Sequence, residues 1–209
     1  EKERLAGVLT GLWHMHQWQG EKKVVDFYVV KGILDTMFET LGLASSVEYR
    51  RGEKEGLHPG RTAEVFLNDE SIGFVGQLHP ETQNTLDLPE TYVFEIALNT
   101  ILSENVEEIK YEAIPRYPSI SRDIALVVER NTPAGELQKV IVETGGKLLK
   151  DVKVFDLYEG DKIDANMKSV AFSLRYYHSE HTLTDEEVTK VHNKVLAALE
   201  EKCGATLRT

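Results

Sequence analysis

The sequence predicts an α+β chain of two small domains, and three observations carry that reading. Residues 111–209 run strand–helix–strand–strand–helix–strand. Residues 1–102 set short, antiparallel-type apolar strands beside one long amphipathic helix. Between them Ser103–Ser119 is acidic, contains Pro115 and Pro118, and has little periodicity. A chain of 209 residues is long enough for two cores. We place the cut near Lys110, giving domains 1–110 and 111–209, with Tyr111–Ser119 as an extended arm.

In the first domain, Leu9–Trp18 alternates loosely and reads as a strand. Val24–Leu41 reads as a helix: Val24, Phe27, Tyr28, Leu34, Met37, Phe38 and Leu41 recur at helical spacing, and Gly42 follows as a stop. Arg50–Gly56 is a polar loop. Thr62–Leu67 and Ser71–Leu78 form a hairpin around Asn68-Asp69-Glu70. Pro80–Leu86 is a short helix or turn, and Tyr92–Leu98 alternates like a strand.

In the second domain the strands are Ser121–Val128, Val152–Gly160 and Lys168–Tyr177. A helix spans Thr132–Thr144, with Pro133 suited to its first turn. The last helix opens on a capping box, Thr184 to Glu187, and ends at Cys203-Gly204. Its stripe of Val188, Val191, Val195 and Leu199 is core. A short tail, Ala-Thr-Leu-Arg, follows. This order is the split βαβ, or ferredoxin-like, arrangement. Two helices cover one face of the sheet and leave the other available for a ligand.

Alternation sorts the faces. Val170, Phe172, Leu174 and Tyr176 turn to the helices, and Ser169, Ala171, Ser173 and Arg175 turn to the open face. Phe155 and Leu157 go to the core; Asp156 and Tyr158 then lie beside Ser169 and Ala171. A tyrosine over a floor of small residues is a stacking platform for a base. An aspartate beside it can accept from the Watson–Crick edge of guanine. Tyr158 reads equally well as a strand end with its hydroxyl in water. Arg122 and Arg175 are candidate phosphate or base contacts, although Arg122 beside Asp123 also reads as a structural ion pair.

The net charge of −11 argues against general nucleic-acid affinity. The charge is uneven: residues 1–110 hold 10 basic and 19 acidic side chains, and residues 111–209 hold 14 and 16. A reader of unpaired bases can escape the objection through stacking and hydrogen bonding. No apolar run is long enough to span a membrane, and the opening Glu-Lys-Glu-Arg, without Met, reads as part of a longer chain with no signal peptide. The single Cys203 fits a reducing cytoplasm and a structural thiol. His14, His16, His58 and His79 have no metal-site spacing, and phosphate-loop and nucleophile-elbow motifs are absent. We therefore expect no catalytic residue, metal or cofactor in these 209 residues.

Arg116–Val128, Val154–Gly160, Lys168–Val188 and the terminal Leu-Arg together resemble the ferredoxin-fold anticodon-binding domain that closes the beta chain of bacterial phenylalanine–tRNA ligase. Leu57–Asn68, Ser71–Thr82 and Tyr92–Asn99 look like the non-catalytic, class II ligase-like domain before it. The resemblance implies that Tyr158 stacks on an anticodon base, the first of which is guanine for phenylalanine. It implies a whole enzyme of two alpha and two beta chains that joins phenylalanine to tRNA(Phe) with ATP and Mg2+, in which the first domain packs on the catalytic alpha chain. It also implies that the editing site lies in upstream domains. A working class II site needs two arginines; Glu81–Asn99, after the glycine-rich strand, holds none, and Arg61 alone cannot do both jobs.

Three rivals share parts of this pattern. An acylphosphatase-like enzyme would use Asn131 or Asn166 but lacks an arginine cradle. A ferredoxin-like regulatory module would bind free amino acid across a dimer. A single-chain organellar ligase would carry catalytic arginines in the preceding segment.

Overall fold

The computed structural model describes residues 2–15, 18, 20, 22–104, 116–161 and 163–208. The chain separates into two units, residues 1–111 and 112–209. The predicted cut near Lys110, the first half of the predicted arm, and His16 lie outside the described residues.

The first unit is an antiparallel sheet of β1 (Arg4–Thr10), β4 (Val47–Arg51), β5 (Leu57–Leu67), β6 (Glu70–Leu78) and β7 (Thr91–Ala97), in the order β1-β7-β6-β5-β4. A small ribbon pairs β2 (Leu12–Met15) with β3 (Lys22–Val24). Three helices accompany them: α1 (Phe27–Thr40), α2 (Pro80–Thr85) and α3 (Leu98–Ser103). The core lies between α1 and the sheet, where Val30, Leu34 and Phe38 meet Val65, Val75 and Ile96.

Three local expectations change. The single strand at Leu9–Trp18 is two strands broken at Gly11, whose φ of +80° turns the chain at a conformation glycine adopts freely. The helix begins at Phe27, three residues later than its apolar spacing suggests. Asp26 is extended, and its carboxylate accepts from the Val29 N–H at 2.7 Å, so it caps the helix there. Val24, left in β3, stays exposed, and so does Tyr28 in the first turn of α1. Arg50 and Arg51 belong to β4, which pairs with Glu64 and Ala63 of β5.

The hairpin turn is as expected: Asn68 and Asp69 both have positive φ, the geometry that matches strand twist. Gly73 is required by close approach, since a Cβ there would overlap the Glu95 carbonyl of the neighbouring strand. Two of the histidines serve as backbone acceptors: His58 Nδ1 accepts from the Gly60 N–H, and His79 Nδ1 accepts from the Glu81 N–H at the start of α2.

The second unit contains β8 (Ile120–Glu129), α4 (Ala134–Gly145), β9 (Leu149–Tyr158), β10 (Met167–Tyr176), α5 (Asp185–Cys203) and β11 (Thr206–Leu207). Its antiparallel sheet has the order β11-β8-β10-β9, the split βαβ arrangement the sequence predicts. Pro133 stands just before α4 as its N-cap residue rather than in the first turn. The core joins Ile124, Leu126, Val170, Phe172 and Leu174 of the sheet to Leu137 and Ile141 of α4 and Val195 and Leu199 of α5. Tyr176 is buried with its hydroxyl 3.2 Å from His192 Nδ1. Burial pushes the phenol up to about 12 and the imidazole down.

The capping box at α5 forms as predicted. Thr184 Oγ1 accepts from the Glu187 N–H, and the Glu187 carboxylate accepts from the Thr184 N–H at 2.9 Å. The backbone and hydroxyl of Thr184, and then His181, hold the Glu187 carboxyl at about 2, below its ordinary 4.5. The folded state therefore binds this proton less readily than the unfolded chain does. The cap's contribution is fully present above pH 4.5 and is lost as pH falls toward 2. Glu187→Gln should flatten the acid side of the thermal-stability profile in that window and leave its shape near pH 7 unchanged. An acid limb identical to that of the parent would contradict the assignment.

Candidate nucleic-acid interface

The interface follows from strand register. Ser169 lies opposite Tyr158 on one side and Val127 on the other; Ala171 lies opposite Asp156 and Ala125. Residues directly opposite in an antiparallel pair share a face. Val170, Phe172, Leu174 and Tyr176 alternate with these and are buried under the helices. Tyr158, Asp156, Ser169 and Ala171 therefore share the face that α4 and α5 leave uncovered, as the alternation predicts.

One part of the face assignment was wrong. Between Asp156↔Ala171 and Val154↔Phe172 the register shifts, so Phe155 is an extra residue in β9. The bulge resets the alternation: Val152 and Val154 lie opposite Leu174 and Phe172 on the helix side. Phe155 is not core; it is 58% exposed. Leu157 is opposite Val170 on the helix side, but on the edge strand it remains 55% exposed.

Tyr158 is not a ring in open water. The Arg208 guanidinium carbon lies 4.5 Å from its ring centroid, a cation–π distance. The Arg208 N–H donates to the Ala125 carbonyl at 2.8 Å, so the tail continues the β11 edge and delivers this side chain to the open face. At its far end the Tyr158 hydroxyl lies against Gly160, where a Cβ would come within 2.8 Å of it. The glycine after Tyr158-Glu159 is thus what lets the ring lie down.

Ser169 and Ala171 are only 3% and 7% exposed, so they are a covered floor and not the free space their small size suggests. A flat aromatic group can stack on the platform that the Tyr158 ring and the Arg208 guanidinium over it build together. The Asp156 carboxylate next to it is an acceptor for a donor edge.

The two halves match two family models: residues 1–98 match the phenylalanyl tRNA synthetase beta chain CLM domain, and residues 115–208 match the ferredoxin-fold anticodon binding domain. Phenylalanine–tRNA ligase beta subunits align with the chain over 208 residues. The one from Geobacillus kaustophilus is 60% identical, one from Bacillus cereus 56% and that of Bacillus subtilis 53%. The chain belongs to the phenylalanine–tRNA ligase beta-subunit family. Each alignment covers all of this chain and 26% of the relative, so the chain spans about a quarter of the length of these beta subunits.

Within that family frame the remaining site residues separate. Arg175 lies on the open face opposite Asp151 and Ser121, and Ser173 lies opposite Lys153 and Asp123. Arg122 does not join them. It is opposite Leu174, on the helix side, and its guanidinium holds Asp185 at the start of α5 at 2.6 Å. The predicted ion pair with Asp123 is replaced by this one, because Arg122 and Asp123 are neighbours on opposite faces of β8. Sequence reasoning missed Arg208 as a site residue. The terminal Leu-Arg was visible as part of a motif, but its place beside Tyr158 depends on β11 pairing with β8, a contact distant in sequence.

In the first unit Arg61, the arginine nearest the glycine-rich strand, is engaged within its own unit. Arg61 donates to Gln77 Oε1 at 2.7 Å and sits 3.4 Å from the Glu90 carboxylate, which accepts from the Tyr92 hydroxyl at 2.5 Å. A guanidinium already held by a side-chain amide and near a carboxylate gives up part of its capacity for a phosphate. Among the described residues no helix is long and apolar enough to cross a membrane.

Proposed function

We propose that the second unit recognises the anticodon of tRNA(Phe), with Tyr158 and Arg208 stacking on the first anticodon base and Asp156 accepting from its edge. The observation that carries this reading is the Tyr158–Arg208 pair beside Asp156 on the uncovered sheet face. Guanine offers two donors on its Watson–Crick edge, which suits a carboxylate; adenine and the pyrimidines offer fewer or none in that pattern. Stacking alone tolerates any base, but it holds the base edge against the Asp156 carboxylate, so selection depends on Tyr158 and Asp156 together.

The first unit, with Arg61 engaged by Gln77 and Glu90, has no catalytic role in this reading and packs on a catalytic alpha chain. In this reading the sequence boundary between the two functional domains falls near Lys110. The whole ligase, two alpha and two beta chains in the cytoplasm, joins phenylalanine to its tRNA with ATP and Mg2+. The relatives' name, phenylalanine–tRNA ligase beta subunit, supports the ligase part of this reading. The direct test is a photocrosslink from a reactive base at the first anticodon position to the intact ligase. Labelling of residues 156–158 or 208 supports the reading. Labelling confined to the helix side, at Val142 for instance, contradicts it.

A further inference from the structure

The open face continues past the Tyr158 platform. Two residues along β10 from Ala171 comes the row Lys153–Ser173–Asp123, and two further comes Asp151–Arg175–Ser121. At the usual strand rise Ser173 lies about 13 Å from Ser169. That places Lys153 and Arg175 beside the path of the nucleotides next to a stacked base.

Their ion pairing differs from that of the other cations nearby. Arg122 and Arg130 are held in direct pairs, with Asp185 at 2.6 Å and Glu159 at 2.7 Å. Lys153 and Arg175 both approach one carboxylate, Asp151, at 3.7 Å each. That is beyond charge-assisted hydrogen-bond length, and Asp123, across Ser173 in the next strand, forms no ion pair with either cation among the described residues. Their side chains are 74% and 56% exposed. Among the described residues, Lys153 and Arg175 are cations on this part of the face whose donors remain available.

We propose that Lys153 and Arg175 form a phosphate track for the RNA strand leaving the stacked base, with Asp151 holding both side chains near the sheet until phosphate replaces it. This rests on the anticodon reading above and adds the route of the backbone. Phosphate contacts position a strand without reading its sequence. Lys153 and Arg175 should therefore contribute equally to every anticodon.

The experiment measures binding of the intact ligase to tRNA(Phe), and to a variant with a different first anticodon base, across a salt series. The proteins compared are the parent, Lys153→Ala, Arg175→Ala, Arg175→Lys and Tyr158→Ala. Each alanine variant at the track should weaken both RNAs by the same factor and make the log–log salt slope shallower by about 0.7–1. Arg175→Lys should keep the slope. Tyr158→Ala should reduce discrimination between the RNAs and leave the slope in place. Unchanged slopes for both Lys153→Ala and Arg175→Ala overturn the track while leaving the stacking reading standing. Unchanged discrimination in Tyr158→Ala overturns the stacking reading separately.

Discussion

Phe172→Ala is expected to destabilise the second unit by about 3–5 kcal/mol, the range for deleting a buried aromatic ring. Phe172 is 0% exposed in β10, which has neighbours on both sides. Ile124 and Val154 lie directly opposite it, and residues of α4 and α5 close the core over the sheet. A central strand held by two ladders cannot move inward to fill the cavity. Domains of this size are stable by only about 5–15 kcal/mol, so the loss takes a large share of the total. Denaturant unfolding followed by a probe in the second unit should show a lower midpoint with an unchanged slope. A loss below about 1 kcal/mol would mean that the core is packed differently. Because Ala171 and Ser173 flank Phe172 on the same strand, the variant should also weaken RNA binding through the floor of the site.

Tyr158→Ala is expected to weaken anticodon binding by about 1–3 kcal/mol, the usual worth of one base–aromatic stack. That is roughly a 5- to 150-fold loss of affinity. The change removes the platform and leaves Arg208 without the ring it lies over. Tyr158→Phe keeps the ring and the cation–π contact, so it should retain most of the binding. The comparison separates stacking from a role for the hydroxyl, whose end lies against Gly160. Equal losses in Phe and Ala would assign the work to the hydroxyl and count against a stacking platform.

Much of the second unit was legible because its signals are local and periodic. The apolar alternation of Val170–Tyr176 and the box at Thr184–Glu187 each specify geometry within a few residues. What failed was the parity of β9, since a bulge at Phe155 depends on how the strand meets its partner. Arg122 was misplaced for a related reason: its pairing with Asp185 joins residues 63 apart. Arg208 reaches Tyr158 only once β11 has closed the sheet edge. In the first unit the helix start was missed because an aspartate cap outweighs apolar spacing that continues through Val24. The family resemblance, carried by motifs along both halves, agrees with the two model matches.

The central claim is that Tyr158 and its neighbours read the first anticodon base. The most direct measurement is a double-mutant cycle on the intact ligase, crossing Tyr158→Ala with replacement of guanine at that position of a tRNA(Phe) anticodon stem-loop. The account predicts that each change alone weakens binding and that the second adds little once the first is made, a coupling of about 1 kcal/mol or more. Fully additive losses would contradict it, because the tyrosine and the base would then be acting at separate places.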